Sequence, residues 1–399
     1  MIYYLMMAFL IIIFDAKRIN LITLICAAII NHRETTFSSN KSIIITIAII
    51  GLPTILVDLF RNKLKYRNDI LYAMLLFLLS NILSLININK DTLTLGLVGV
   101  FQVAGFCLLF LYFFNKDKTD LQEYLGKNAL ALGIAIAIEF AIYIITYKGD
   151  VVGKDIELGW GVSNTIAMML LLIMPITYSL YLNNQRNNFI LFFVMIDILL
   201  IIMMLSKGAY IALAIIILLL LIVSYCYVKE RKKLIIDWIF SVLILLLMVI
   251  FIFRFDILSI GIKEYLEKMH GRGWFNDQAR IEIFKSGINL FKKYPLFGAG
   301  AYTGSYYLAK DAGPYLHYHN YLIQTLATLG ILGLLSFGFY IFIIMKNCFK
   351  KNPYHLCTLF AIISMLIHGL VDNTWYNPFV MVMITIFVLG TVRSESSNN

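Results

Sequence analysis

Two imidazoles, a guanidinium and an ammonium stand where they could do chemistry together. His317 and His319 flank Tyr318 and come just before Asn320, where the chain enters a long apolar run. An imidazole titrates near neutral pH, so His319 could take a proton from a hydroxyl; a histidine at such a boundary can equally be a plain interfacial residue. Arg280 precedes them in the longest polar stretch of the chain. Its planar fork would hold phosphate oxygens bidentately, or it could simply face water. Lys207, in Leu205-Ser206-Lys207-Gly208, opens another apolar run and could meet a second phosphate or snorkel to a membrane interface. His368 and Asp372, at the far end of a later run, join His317 and Asn320 as residues that could line one cavity or stabilise their own turn.

The elements that must position these groups are membrane helices. Of 399 residues, 61% are hydrophobic and 14% charged, and mean hydropathy is +0.84; soluble domains carry about 25% charged residues. Lipid tolerates only helices and closed barrels, and apolar runs of roughly 15–25 residues suit helices rather than short alternating strands. The expected fold is an all-α polytopic integral membrane protein of about 12–13 spans, the first two being short. In order, the spans are Met1–Phe14, Ile19–Asn31, Lys41–Phe60, Asp69–Asn89, Thr92–Phe114, Lys127–Tyr147, Gly161–Leu182, Asn188–Leu205, Gly208–Val228, Leu234–Phe253, Asn320–Met345, His355–Val371 and Asn377–Val392. Glu139 and Asp197 fall inside spans, where an ionisable group is either a buried helix–helix contact or part of a substrate path.

Charge sets the orientation. Alternate short loops with the chain's end regions hold 18 Lys and Arg residues, and the opposite short loops hold six, which puts the richer set in the cytoplasm. The net charge of +10 is thereby read as a topology signal facing anionic lipid, with no nucleic-acid partner. The chain divides into N-terminal membrane helices (1–253), a large extracytoplasmic loop (254–318), C-terminal membrane helices (319–392) and a short polar tail (393–399). The opening Met1-Ile2-Tyr3-Tyr4 lacks a basic stretch, so no cleavable signal peptide is expected. Five cysteines, none in the large loop, do not suggest a disulfide framework or a clustered metal site.

Nine of the 33 basic residues lie in the large loop. Asn276 or Asp277 would cap a helix running to about Lys293, in which Ile281, Phe284, Ile288 and Phe291 form one apolar stripe with Arg280, Lys285 and Lys292 off it. Such a helix could rest on the membrane surface or dock onto the bundle. Pro295 would end it, and Gly298 and Gly300 would allow a tight turn. The sequence has no phosphate-binding GxxxxGK[ST] loop, no HExxH helix and no Asp-x-Asp, so neither a metal nor another cofactor is expected.

Four pieces together resemble the O-antigen ligase and polymerase superfamily of bacterial polysaccharide assembly. They are Ser206-Lys207-Gly208, Ala279-Arg280-Ile281-Glu282-Ile283-Phe284, Pro295-Leu296-Phe297-Gly298-Ala299-Gly300, and His319-Asn320-Tyr321-Leu322 running to Gly330 and Gly333; His368–Asp372 is similar to the family's late helix. The resemblance implies a GT-C-like glycosyltransferase in the bacterial cell membrane, its site facing the periplasm or exterior and its donor a glycan on undecaprenyl diphosphate. It implies that Arg280 holds the diphosphate, that His319 is the base, and that Lys207 stands where many members carry Arg. Without an extra domain or an acceptor-specific motif in the sequence, the expected activity is that of a repeat-unit polymerase working among membrane lipids, with a chain-length regulator and a flippase as pathway partners. A ligase moving finished glycan to a lipid or protein acceptor is the alternative within the family, and a transporter of lipid-linked sugars the alternative outside it.

Overall fold

The computed structural model describes residues 68–115, 121–147, 156–158, 161–183, 187–227, 231–254, 278–373 and 375–392. The first three expected spans, Cys26, the candidate caps Asn276 and Asp277, and the polar tail lie outside them. The described chain is helical almost throughout: α1 (Asp69–Leu83), α2 (Leu93–Asn115), α3 (Leu121–Tyr147), α4 (Ser163–Asn183), α5 (Asn188–Met203), α6 (Lys207–Tyr227), α7 (Arg231–Arg254), α8 (Gln278–Lys293), α9 (Gly304–Asp311), α10 (Tyr321–Cys348), α11 (Pro353–Gly369) and α12 (Pro378–Val392). A 3-10 turn, Ser84–Asn87, ends α1, and a two-residue antiparallel pair, β1 (Glu157–Leu158) with β2 (Gly161–Val162), precedes α4. Apart from α8 and α9, the helices follow in order the ten later spans expected from hydropathy. Among the described residues, five helices are long and apolar enough to cross a membrane and five further apolar helices are shorter. The protein is an all-α polytopic membrane protein.

Asparagine starts four of the helices. Asn68, Asn187, Asn320 and Asn352 accept hydrogen bonds from the first free N–H groups of α1, α5, α10 and α11, satisfying donors that would otherwise be costly near lipid. The core forms around α4, buried without a break from Ile166 to Tyr181 despite Pro175; a helix apolar on every side belongs inside a bundle. It packs between α11, α3, α5 and α6. Asp197 on α5 is buried against α3, its Oδ1 2.8 Å from where a Cβ on Gly133 would stand, and Glu139 is buried on α3. Among the described residues Cys107, Cys226, Cys348 and Cys357 are free thiols.

Two sequence expectations are corrected. The first concerns α8, whose buried face is Ile283, Ser286, Gly287 and Leu290. Ile281 and Ile288, of the expected stripe, are 40% and 46% exposed, while Phe284 packs at the edge of the buried cluster. The reason is steric: α8 lies so close to Tyr318 and Ile323 that a Cβ on Gly287 would come within 2.4 Å of Ile323. Small residues therefore define the contact face, and the helix docks onto α10.

The second correction concerns α10, expected as one unbroken span. At Gly330 its backbone turns to φ 66°, ψ −164°, a region open essentially to glycine alone. The break frees backbone groups that lipid could not satisfy, and the Pro295–Gly300 segment supplies their partners. Ala299 N donates to Ala327 O at 3.0 Å and Gly300 N to Thr328 O at 3.0 Å, while Ile331 N donates to Pro295 O at 2.9 Å and Leu332 N to Leu296 O at 3.3 Å. The end of α1 holds the other edge: Asn87 Nδ2 donates to Gly298 O at 2.8 Å, and Ala301 N donates to Ser84 Oγ at 3.0 Å. A Cβ on Gly298 would lie 2.2 Å from the Thr328 carbonyl carbon, and one on Gly330 would lie 2.4 Å from Leu296 O. Replacing either glycine with Ala is expected to cost about 3 kcal/mol, read as a drop in melting temperature of the purified protein. A wild-type melting temperature for Gly330→Ala would contradict this reading of the clamp.

Candidate functional site

The residues singled out by type and spacing meet at one end of the bundle, the end at which α6, α10 and α12 begin and α11 stops. The turn after α11 is the hub. Asp372 lies between the two imidazoles, its Oδ1 3.6 Å from His319 Nδ1 and 3.7 Å from His317 Nε2. The two rings meet edge to face with centroids 4.3 Å apart. Asn320 caps α10 through Oδ1 and donates from Nδ2 to Leu370 O at 2.9 Å. Its amide thus straps the imidazole-bearing segment to the Asp372 turn.

Lys207 begins α6 beside the same turn. Its neighbour Ser206 pairs with His368 Nε2 at 3.3 Å, and Gly208 lies against Val371. His368 is fully buried in the last turn of α11 and braces the start of α6. Arg280, in the first turn of α8, is near enough to interact electrostatically with His317 and His368. Lys207, Arg280, His317, His319, Asn320, His368 and Asp372 therefore belong to one end and one connected region, whereas Glu139 and Asp197 lie buried within α3 and α5. What the sequence did not reveal is that Asp372 faces both imidazoles, or that Ser206 contacts His368.

The electrostatics assign protons. The backbone N–H of His319 donates to His317 Nδ1 at 3.3 Å, so the lone pair of neutral His317 is at Nδ1 and its proton is at Nε2, toward Asp372. Burial pushes His317 down to about 4; Asp372 opposes this, and the charges of His319 and Arg280 add to it. Burial alone would raise Asp372, but the facing His319 and the other surrounding imidazoles outweigh it and hold the carboxyl below the usual range. With Asp372 ionised, the favoured proton position on His319 is Nδ1, which leaves its Nε2 lone pair available to a substrate.

Both shifts link folding to pH in one direction. The unfolded chain protonates His317 near its ordinary value of 6.5, while the folded site waits until about 4. Across that window the unfolded state binds more protons, so stability falls as pH falls. The depressed Asp372 adds stability above its ordinary 3.8 that is lost below it. The melting temperature is expected to decline from pH 6.5 towards 4, less steeply in His317→Asn; identical slopes would contradict the assignment.

Among the described residues, His317, His319 and Asp372 offer one ligand atom each within 4.8 Å of one another, a spacing a divalent cation could bridge. The proton assignment does not fit that use, because the His317 nitrogen facing Asp372 is the protonated one.

The class is that of a polytopic helical membrane protein in which two imidazoles face one carboxylate, with Arg280 within electrostatic reach and Lys207 at the start of an adjoining helix. Residues 190–338 match the family model Wzy_C, described as O-antigen ligase, a domain consistent with the O-antigen ligase and polymerase superfamily. The matched stretch contains Lys207, Arg280, His317, His319 and Asn320 but ends before His368 and Asp372. No curated protein matches the chain. The family supports glycosyl transfer of the ligase or polymerase type on lipid-linked oligosaccharides in a membrane.

Proposed function

We propose that this protein is a polymerase of lipid-linked oligosaccharide repeat units. It transfers the growing glycan from undecaprenyl diphosphate to the nonreducing sugar of another lipid-linked unit, on the non-cytoplasmic side that the Lys and Arg bias favours. The observation that carries the reading is Asp372 set against His319, at the end of the bundle that also holds Lys207 and Arg280.

His319 Nε2 takes the proton of the acceptor hydroxyl as that oxygen attacks C1 of the donor sugar. The new C1–O bond forms as the bond from C1 to the diphosphate oxygen breaks, and the electron pair leaves with the lipid diphosphate. Attack opposite the leaving group inverts C1. Arg280 and Lys207 meet the charge that grows on the diphosphate, a preorganised stabilisation that needs no rearrangement during the reaction. Asp372 holds the His319 proton on Nδ1 and stabilises the imidazolium as it forms.

A ligase shares every donor-side step and differs only in its acceptor, and the description of the matching family favours it. Purified protein in proteoliposomes, supplied with one defined undecaprenyl-diphosphate-linked unit, separates the two. A product ladder supports the polymerase. Transfer only when a different lipid or protein acceptor is added means a ligase, and movement of the unit between leaflets without transfer means a transporter.

A further inference from the structure

His319 is held in an unusual backbone conformation, and its neighbour supplies the partner that holds it there. Its φ is 50°, in the left-handed region that costs a residue bearing a Cβ about 1 kcal/mol or more. Conformations of this kind persist where surrounding contacts over-determine them. His317 Nδ1 accepts the His319 N–H two residues on, the side-chain-to-backbone pattern that Asn and Asp use in Asx-turns. The opposite nitrogen of the same ring faces Asp372. One ring therefore bonds the His319 backbone on one side and, on the other, faces the carboxylate that the His319 side chain also faces.

We infer that His317 is a positioning residue, a neutral bridge that fixes the backbone of His319 and its distance from Asp372. The bridge works only while Nδ1 has a lone pair; a protonated ring would present N–H groups on both sides and lose the acceptor. Every charged or titratable group recorded as acting on His317 bears on that state. Asp372, from the turn after α11, favours protonation; His319, on the same segment, and Arg280, on α8, oppose it, and burial opposes it most. His317 consequently stays neutral through the range in which an unperturbed imidazole would charge. This role rests on the proposed transfer reaction for its kinetic consequence, whereas the proton position stands independently of it.

The test has two arms on the full-length protein in lipid. In the first, nitrogen-15 NMR of the histidine side chains, assigned with His317→Asn, reads protonation without any substrate. The expected signal is a neutral His317 with its proton on Nε2, unchanged between pH 7 and pH 5. A proton on Nδ1, a ring charged at pH 5, or an Nε2 without a proton, as a bound divalent cation would require, overturns the inference.

In the second arm, transfer by His317→Ala is expected to drop on the order of tenfold in kcat with KM little changed. His317→Asn, whose Oδ1 can accept the same N–H, is expected to return to within about threefold of wild type. Both variants failing equally while remaining folded overturns the bridge. If the wild-type protein transfers nothing, the proposed function falls, and the proton position measured in the first arm still decides the inference.

Discussion

Asp372→Asn is expected to reduce glycan transfer on the order of 10³-fold while leaving the fold and donor binding intact. In the proposed mechanism the carboxylate does two things for His319: it keeps the proton on Nδ1, which it faces, and it stabilises the imidazolium that forms as the acceptor hydroxyl is deprotonated. An amide of the same shape removes the second effect outright. It can also turn its NH₂ towards Nδ1, which moves the imidazole proton to Nε2, the position that must be empty for His319 to act as a base. The loss should fall in kcat, because the proton moves only in the transition state, with KM changed little. Single-turnover rates with a defined lipid-linked unit measure this. An Asp372→Asn protein that retains a third of wild-type kcat would show that His319 does not depend on the carboxylate 3.6 Å away.

Arg280→Ala is expected to cost on the order of 10²–10³ in kcat, the range seen when one preorganised donor to a developing anion is removed. Arg280→Lys should recover only part of this, since an ammonium keeps the charge but loses the bidentate fork. Lys207 gives the complementary case. It stands at the first residue of α6, where the resemblance leads one to expect Arg in many members, so Lys207→Arg should be tolerated. The effect of removing Arg280 should be nearly constant from pH 6 to 9, because it acts on phosphate charge and not on the base. A loss confined to low pH would instead mean that Arg280 matters only through the protonation of the imidazoles.

Much of this architecture was legible in the sequence, for identifiable reasons. Hydropathy alone ordered the ten described spans, because apolar length in lipid leaves the backbone no alternative to helix. Lys207, Arg280 and His319 could be picked out because a charge or an imidazole at the edge of an apolar run is conspicuous.

The break at Gly330 was not legible. It lies among apolar residues, and its partner segment, Pro295–Gly300, is far back in the chain. Those glycines suggested a local turn, when their tightest constraint is approach to another backbone. The face of α8 was misread for a related reason. Periodicity over Ile281, Phe284, Ile288 and Phe291 selects a neighbouring stripe, whereas the docked face runs through Ile283 and Leu290 with Ser286 and Gly287 between them, whose small size permits close contact. Asp372 was visible as a carboxylate near a turn. Its place between His317 and His319 depends on folding α11 back beside the start of α10, which no local pattern encodes.

The clamp gives these separate pieces a shared mechanical basis. α8 carries Arg280, and the start of α10 carries Asn320 with the imidazoles just before it. Between them, four backbone hydrogen bonds fix the Pro295–Gly300 segment into the gap in α10. The helix that carries Arg280 and the helix that follows the imidazoles are thereby joined through backbone hydrogen bonds.

In the proposed function His319, facing Asp372, is the base for glycosyl transfer between lipid-linked units. The most direct measurement compares wild type with His319→Ala in proteoliposomes containing one defined undecaprenyl-diphosphate-linked unit, with donor binding measured separately on the same preparations. Wild type is expected to build a product ladder, and the variant to bind donor undiminished with no extension beyond the starting unit. A His319→Ala protein that builds the same ladder at a comparable rate would contradict that role for His319.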